Sequence, residues 1–104
     1  MHIDVIIKRP GQIPHHTSIS NSLKNLQGHV GGYIEAVTLP SGIVVICNED
    51  GRIVGLPHNC TVDKITFVGT IIFAGIQGEE FGDIPLDYQT FKKKYKELFL
   101  KTNQ

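Results

Sequence analysis

The chain has 104 residues, ten basic and ten acidic side chains, and a hydrophobic content of 40%. A chain of this length forms one domain with one core, and this hydrophobic content is too high for a disordered protein. The balanced charge argues against general binding of nucleic acids or membrane surfaces, which requires a basic excess. We therefore expect a single domain over residues 1–104 whose zero net charge does little to oppose self-association.

The targeting and redox signals favour a cytoplasmic protein. The apolar runs are only a few residues long, too short to span a membrane. The N-terminus lacks the basic region followed by an apolar stretch that marks a signal peptide. With only Cys47 and Cys60, no disulfide framework is implied. We expect two reduced thiols in the cytoplasm of a bacterial or infected host cell.

The first third of the chain predicts two strands and a helix. Residues 2–8 are rich in Ile and Val and predict a buried strand that ends at a Pro-Gly turn. Residues 12–18 predict an edge strand, because Pro14 is tolerated at the edge of a sheet. Ser20 is the predicted N-cap of a helix that runs to about Gln27 and ends before a group of glycines.

The middle of the chain predicts two hairpins. Residues 33–39 alternate and residues 43–47 are apolar, so these two segments predict strands joined by a Pro-Ser-Gly turn. A second tight turn at residues 48–51 contains the hairpin-forming pair Asp-Gly. The apolar residues that follow predict a return strand at 52–56.

The last third predicts a central strand and a second helix. Residues 65–76 are the most apolar segment and predict a central strand, bent or bulged at Gly69. Residues 77–85 predict an acidic loop, and Asp87 is the predicted N-cap of a helix that runs to about Lys101. The order of these elements predicts an α+β fold, a mostly antiparallel sheet of about five strands with two helices on one face.

Three motifs resemble a known family. The chain carries GGYIE at 31–35, ICNExGxxxGLPxN at 46–59 and GTIIF at 69–73. The pattern is similar to that of small proteins from phages, plasmids and Gram-positive bacteria that are classified only as a domain of unknown function. The resemblance implies a small intracellular protein often carried by mobile elements, and it implies no activity. The family pattern is expected to continue with a basic residue after Asn59, where this chain has Cys60, so it implies no anion contact there.

Each pattern that suggests catalysis or metal binding has a simpler structural explanation. His58 and Cys60, even together with the pair His15-His16, do not supply the paired ligands of a structural zinc site. Neither cysteine has a recognisable base and oxyanion donor nearby in sequence. The lysines of the last helix alternate with core residues and are typical of a solvated helix face. The sequence therefore predicts no catalytic residue, no metal site and no cofactor.

Polar side chains at the ends of apolar strands predict a ligand site, because proteins place many ligand contacts there. The candidates combine an aromatic ring for stacking, amides that read polar edges and one guanidinium for a phosphate. We predict a non-enzymatic small-ligand-binding protein that forms a homo-oligomer. The specific hypothesis is a phage-type sponge, a protein that sequesters an immune signalling nucleotide such as a cyclic ADP-ribose-like or cyclic oligonucleotide molecule. The predicted ligand-binding residues are Tyr33, Asn48, Arg52, His58, Asn59 and Thr70.

Two other functions stay open. The chain could be a protein-interaction module that inhibits or recruits a host protein through a sheet edge or its last helix. It could also be a nucleotide-signal hydrolase with His58 as general base. Non-enzymatic binding is favoured over hydrolysis because no acid–base pair, nucleophile or set of metal ligands stands out.

Overall fold

Eight strands and two short α-helices follow one another in the computed structural model, which describes residues 1–100. None of the helices in this part of the chain is long and apolar enough to cross a membrane. The helices are α1 (Leu23–Val30) and α2 (Tyr88–Lys94), with a 3-10 turn at Lys96–Phe99, and the strands are β1 (His2–Lys8), β2 (His15–Ser20), β3 (Ile34–Thr38), β4 (Val44–Asn48), β5 (His58–Val62), β6 (Ile65–Val68), β7 (Ile71–Gln77) and β8 (Glu80–Gly82).

The main sheet has the strand order β2-β1-β7-β4-β3, and β8 pairs with the C-terminal part of β7. All of these strand pairs are antiparallel. β7 lies at the centre because its first five residues are all buried and both of its edges are paired. β5 and β6 form a separate antiparallel hairpin. The predicted α+β fold with a mostly antiparallel sheet and two helices is confirmed.

The side chains of the main sheet divide between two apolar clusters, one on each face. Ile6 and Phe73 belong to the cluster that includes α2 and the β5–β6 hairpin. Val5 and Ile72, their neighbours in sequence, belong to the cluster that includes α1. Because the central strands are apolar on both sides, both faces of the sheet require a cover. The two helices therefore lie on opposite faces, whereas we expected them on one face.

Both α-helices begin at a side chain that caps the first turn. The hydroxyl of Ser22 accepts a hydrogen bond of 3.1 Å from the backbone N–H of Asn25. The carboxylate of Asp87 accepts one of 2.8 Å from the N–H of Thr90, and this bond lowers the pKa of Asp87. The predicted cap at Asp87 is confirmed. Ser20 is not the cap of α1, because β2 continues to Ser20 and stays paired with β1.

The predicted return strand at 52–56 is wrong. The segment closes on itself, because the N–H of Val54 donates to the carbonyl of Asp50 at 3.0 Å and that of Leu56 to the carbonyl of Gly51 at 2.9 Å. These bonds use local partners, so the segment forms turns and joins no strand ladder. We call residues 49–56 the loop after β4.

The predicted central strand at 65–76 is divided into β6 and β7. Gly69 lies between them with φ +70°, and a Cβ there would lie 2.7 Å from the Cδ1 of Leu56. Glycine is therefore needed at this position for both its conformation and the close approach. The acidic segment 77–85 includes β8 and is not only a loop. The 3-10 turn after α2 ends before the predicted helix end at Lys101, which lies outside the described residues.

Two glycines predict opposite effects of an added methyl group. A Cβ at Gly75 in β7 would overlap the backbone oxygen of Asp83, whereas a Cβ at Gly28 in α1 would meet nothing within 4 Å. We expect Gly75→Ala to lower the free energy of unfolding by about 1–3 kcal/mol. Gly28→Ala should raise it by up to about 1 kcal/mol, because alanine favours the helix. Urea unfolding measures both, and equal effects would contradict the close packing of β7 against the segment after β8.

Candidate functional site

Two cavities adjoin at Asn48, the last residue of β4. Cavity A has a volume of about 370 Å³ and lies between β3, β4, β6 and the loop after β4. Cavity B has a volume of about 420 Å³ and lies between the same loop and the end of α1. Both volumes are within the range of small-molecule sites, roughly 300–1,000 Å³. Cavity A is lined by Glu35, Val37, Cys47, Asn48, residues 49 and 51–53, and residues 65–68; cavity B is lined by residues 27–28, 31–33, Asn48, Asp50 and Val54.

The side chain of Asn48 forms part of the wall of both cavities. Its Nδ2 donates a hydrogen bond of 3.1 Å to the carbonyl of Val30 at the end of α1. Its Oδ1 accepts one of 2.8 Å from the backbone N–H of Asp50. A Cβ at Gly32 would lie only 2.8 Å from this Nδ2, so the amide fits against a position that has no side chain. Asn48 therefore fixes the end of α1 and the start of the loop after β4.

Cavity A combines charged groups with an apolar wall. The guanidinium of Arg52 donates a hydrogen bond to the backbone oxygen of Thr66 in β6, which orients this side chain along the cavity. The exposed carboxylates of Glu35 and Glu49 also line the cavity. Residues 65–68 contribute mainly apolar side chains. The cavity can thus offer one cation and two anionic acceptors to a ligand whose body is apolar or aromatic.

Cys47 lines cavity A as a protonated thiol. Burial raises its pKa to about 11, with a further increase from Glu35 and an opposing effect of Arg52. Its Sγ lies 3.7 Å from the carbonyl oxygen of Glu35, to which it can donate. Burial also raises the pKa of Cys60 to about 11, against the effect of Lys8. At neutral pH both cysteines are therefore thiols and poor nucleophiles.

Cavity B offers stacking surface and no cationic side chain among its lining residues. Tyr33 is 70% exposed and Val54 is 63% exposed, so the ring and the aliphatic group face the open side. Gln27 and Asp50 supply the polar part of the lining. This cavity suits a flat, uncharged group better than a phosphate.

The structure brings three of the six predicted residues to these cavities. Asn48 lines both, Arg52 lines cavity A, and Tyr33 lines cavity B. His58 is exposed at the start of β5, and Thr70 is half-buried between β6 and β7. Neither lines cavity A or cavity B. Ligand binding by any of the six stays a prediction.

Asn59, the sixth predicted residue, is fully buried. Its Nδ2 donates to the carbonyl of Lys8 at 2.8 Å and to the carbonyl of Gly69 at 2.7 Å. Its Oδ1 has no hydrogen-bond partner in the described part of the protein. The side chain joins β5 to the end of β1 and to the turn between β6 and β7.

Two of the three charged residues of cavity A, Glu35 and Glu49, were not predicted. Glu35 alternates with apolar neighbours in β3 and therefore reads as a solvated position, although alternation also places it on the same face as Val37. Glu49 belongs to a turn and, like Glu35, therefore reads as a solvated position. Within residues 1–100, no group of three or more His, Cys, Asp or Glu side chains could hold a metal ion.

The fold and the cavities define a small α+β protein with two adjoining surface cavities. A family model described as a domain of unknown function, DUF3846, matches residues 1–100. The chain belongs to this family, and the expected membership of a family of unknown function is confirmed. No curated protein and no solved structure is found to match the chain. The family description carries no activity, so the function is argued from the site.

Two neighbouring residues test the difference between a buried and an exposed candidate. Asn59→Ala removes the donor to two carbonyl oxygens, so we expect the free energy of unfolding to fall by about 2–4 kcal/mol. His58→Ala changes an exposed side chain and should alter it by less than about 0.5 kcal/mol. Chemical unfolding of both variants measures the difference. Similar small effects at both positions would contradict the structural role of the buried amide.

Proposed function

We propose that this protein is a non-enzymatic binding protein that holds a small polar ligand in cavity A. The observation that carries the proposal is the meeting of Arg52, Glu35 and Glu49 around a partly apolar cavity of about 370 Å³. Few polar groups placed around an apolar surface are typical of small-molecule sites. A cytoplasmic homo-oligomer is part of the proposal.

The charges of cavity A limit the ligand. A guanidinium can bind a phosphate through two parallel hydrogen bonds, and Arg52 supplies one guanidinium to cavity A. The carboxylates of Glu35 and Glu49 accept hydrogen bonds from amino groups or ribose hydroxyls, and they repel a chain of phosphates. These groups favour a nucleotide of low charge. The concrete version is a phage-type sponge for a cyclic ADP-ribose-like or cyclic oligonucleotide signal.

The neighbouring cavity extends the surface available to such a ligand. Tyr33 lies in cavity B, on the other side of Asn48, with most of its ring exposed. A base that reaches past Asn48 could stack on this ring, which typically contributes roughly 1–3 kcal/mol. Of the two proposed kinds of signal, a cyclic oligonucleotide, which has two or more bases, is therefore favoured over a cyclic ADP-ribose-like molecule, which has one.

Binding without turnover is favoured by the chemistry of the cavity wall. The thiol of Cys47 is protonated at neutral pH, because burial raises its pKa to about 11. His58, the proposed base of the hydrolase alternative, does not line either cavity. We therefore expect the ligand to be released intact when the protein is denatured.

Isothermal titration with cyclic dinucleotides, cyclic trinucleotides, cyclic ADP-ribose isomers and uncharged nucleosides tests the proposal. We expect one of the phosphate-containing ligands to bind, and Arg52→Gln to weaken it by about 10- to 100-fold, because a charge-assisted hydrogen bond is lost. His58→Ala is the matched control and should bind as the wild type does.

The same experiment separates the alternatives. Folded protein that gives no heat with any of these nucleotides would contradict the sponge. Mass spectrometry of ligand released by heat distinguishes holding from hydrolysis, since hydrolysis would return a cleaved product. Equal loss of binding in His58→Ala and Arg52→Gln would contradict the assignment to cavity A.

One observation favours a second candidate, the protein-interaction module. Ile53 is 86% exposed on the loop after β4, and the next residue, the exposed Val54, lines cavity B together with the exposed Tyr33. A group of exposed apolar side chains commonly marks a contact with another protein. A stable stoichiometric protein partner, with no small molecule retained, would favour this function over the first.

A further inference from the structure

The outer edge of β3 fits a second copy of this chain. β3 pairs with β4 on one side, and no strand within residues 1–100 pairs with its other side. We propose that β3 pairs antiparallel with β3 of a second copy, about a twofold axis at Ala36, so that the two main sheets become one. This dimer gives an interface to the homo-oligomer of the proposed function, and it forms whether or not a ligand is bound.

The hydrogen-bond register decides which backbone groups of β3 are unpaired. Hydrogen bonds of 2.8 Å join the residue pairs 33–49 and 39–43 at the two ends of the β3–β4 ladder. Bonded and non-bonded pairs alternate in an antiparallel ladder, so residues 35 and 37 also direct their N–H and C=O groups to β4. The residues that direct these groups to the outer edge are Ile34, Ala36 and Thr38.

A twofold axis at Ala36 uses all of these outward groups. Ala36 then faces Ala36 of the second copy, and Ile34 faces Thr38 of the second copy. Each of the three facing pairs exchanges two hydrogen bonds, which gives six across the interface. An axis at Ile34 or at Thr38 would leave some of the outward groups of β3 without a strand partner. The geometry of the edge therefore favours one register.

The composition of β3 also suits pairing. Sheet edges are commonly protected by lysine, proline or bulges, and the sequence Ile-Glu-Ala-Val-Thr of β3 contains neither lysine nor proline. Its one charge, Glu35, falls opposite Val37 of the second copy and not opposite another carboxylate. The other edge strand, β2, follows Pro14 and consists mainly of His, Ser and Thr. β3 is therefore the less protected of the two edges.

The proposed register also covers exposed apolar surface and reaches cavity A. Tyr33 falls opposite Leu39 of the second copy, next to the exposed Pro40, and this contact occurs twice. Glu35 and Val37 line cavity A, so β3 of the second copy would run along its rim. The second copy would add its own Glu35 beside Val37 at that rim. Dimerisation and ligand binding would then be coupled through this rim.

Disulfide cross-linking tests both the pairing and its register, in the absence of ligand. Facing residues of a bonded pair have Cα atoms about 5.5 Å apart, a separation that a disulfide can span. We expect Ala36→Cys to give a covalent dimer on mild oxidation. Thr38→Cys is the matched control on the same strand and should not cross-link, because the two copies of residue 38 are offset by four residues, about 13 Å, along the strands. Ser18→Cys is the control on β2, and the native cysteines are buried.

Sedimentation velocity gives a second, independent measurement. The N–H of Ala36 is not used in the β3–β4 ladder, so Ala36→Pro should fold and sediment as a monomer. Ser18→Pro also removes an outward N–H, at the β2 edge, and should remain a dimer. A monomeric wild type, equal cross-linking by Ser18→Cys or Thr38→Cys, or a dimer that persists in Ala36→Pro would overturn the proposal. A confirmed dimer that binds no nucleotide would contradict only the proposed function.

Discussion

The side chain of Asn48 is the contact on which the arrangement of the candidate site depends. It stands at the end of a strand that is buried on both faces, and its amide holds the last turn of α1 with one group and the loop after β4 with the other. Because α1 covers one face of the sheet and the loop leads to the hairpin that covers the opposite face, one side chain aligns elements on both sides. The two cavities adjoin because both are bounded by this amide.

Local signals were sufficient to predict much of the fold. The Ile- and Val-rich β1, the hairpin of β3 and β4, and the cap at Asp87 each follow from a few neighbouring residues. The loop after β4 could not be predicted in this way. Ile53 and Val54 are residue types typical of strands, but both are exposed, and the N–H of Val54 donates to the carbonyl of Asp50 within the loop. The placement of the helices also could not be predicted, because an apolar run does not indicate which face of a sheet a given helix will cover.

The candidate site was predictable to the extent that it uses strand ends. Tyr33, Asn48 and Arg52 lie at the ends of apolar segments, and the fold brings them to adjoining cavities. Asn59 has the same local appearance, yet its amide is used for carbonyls 51 and 10 residues away in sequence. Only the tertiary structure distinguishes the two asparagines. The reverse holds for Glu35. Its alternation with apolar residues in β3 suggests a solvated position, and only the structure shows that it lines cavity A.

The proposed ligand binding and the proposed self-association both involve β3. β3 supplies one wall of cavity A through its side chains and an unpaired ladder through its backbone. A protein of zero net charge with such an edge has little electrostatic opposition to pairing. The walls of cavity A would then depend on Asn48 at one end and on the second copy along its rim.

Amide hydrogen exchange of the wild type, Asn48→Asp and Asn48→Ala tests the central role of Asn48 most directly. The aspartate keeps an acceptor for the N–H of Asp50 but has no donor for the carbonyl of Val30. We predict faster exchange in the last turn of α1 for both variants, and faster exchange at Asp50 for Asn48→Ala alone. Unchanged exchange in both regions of both variants would contradict the account.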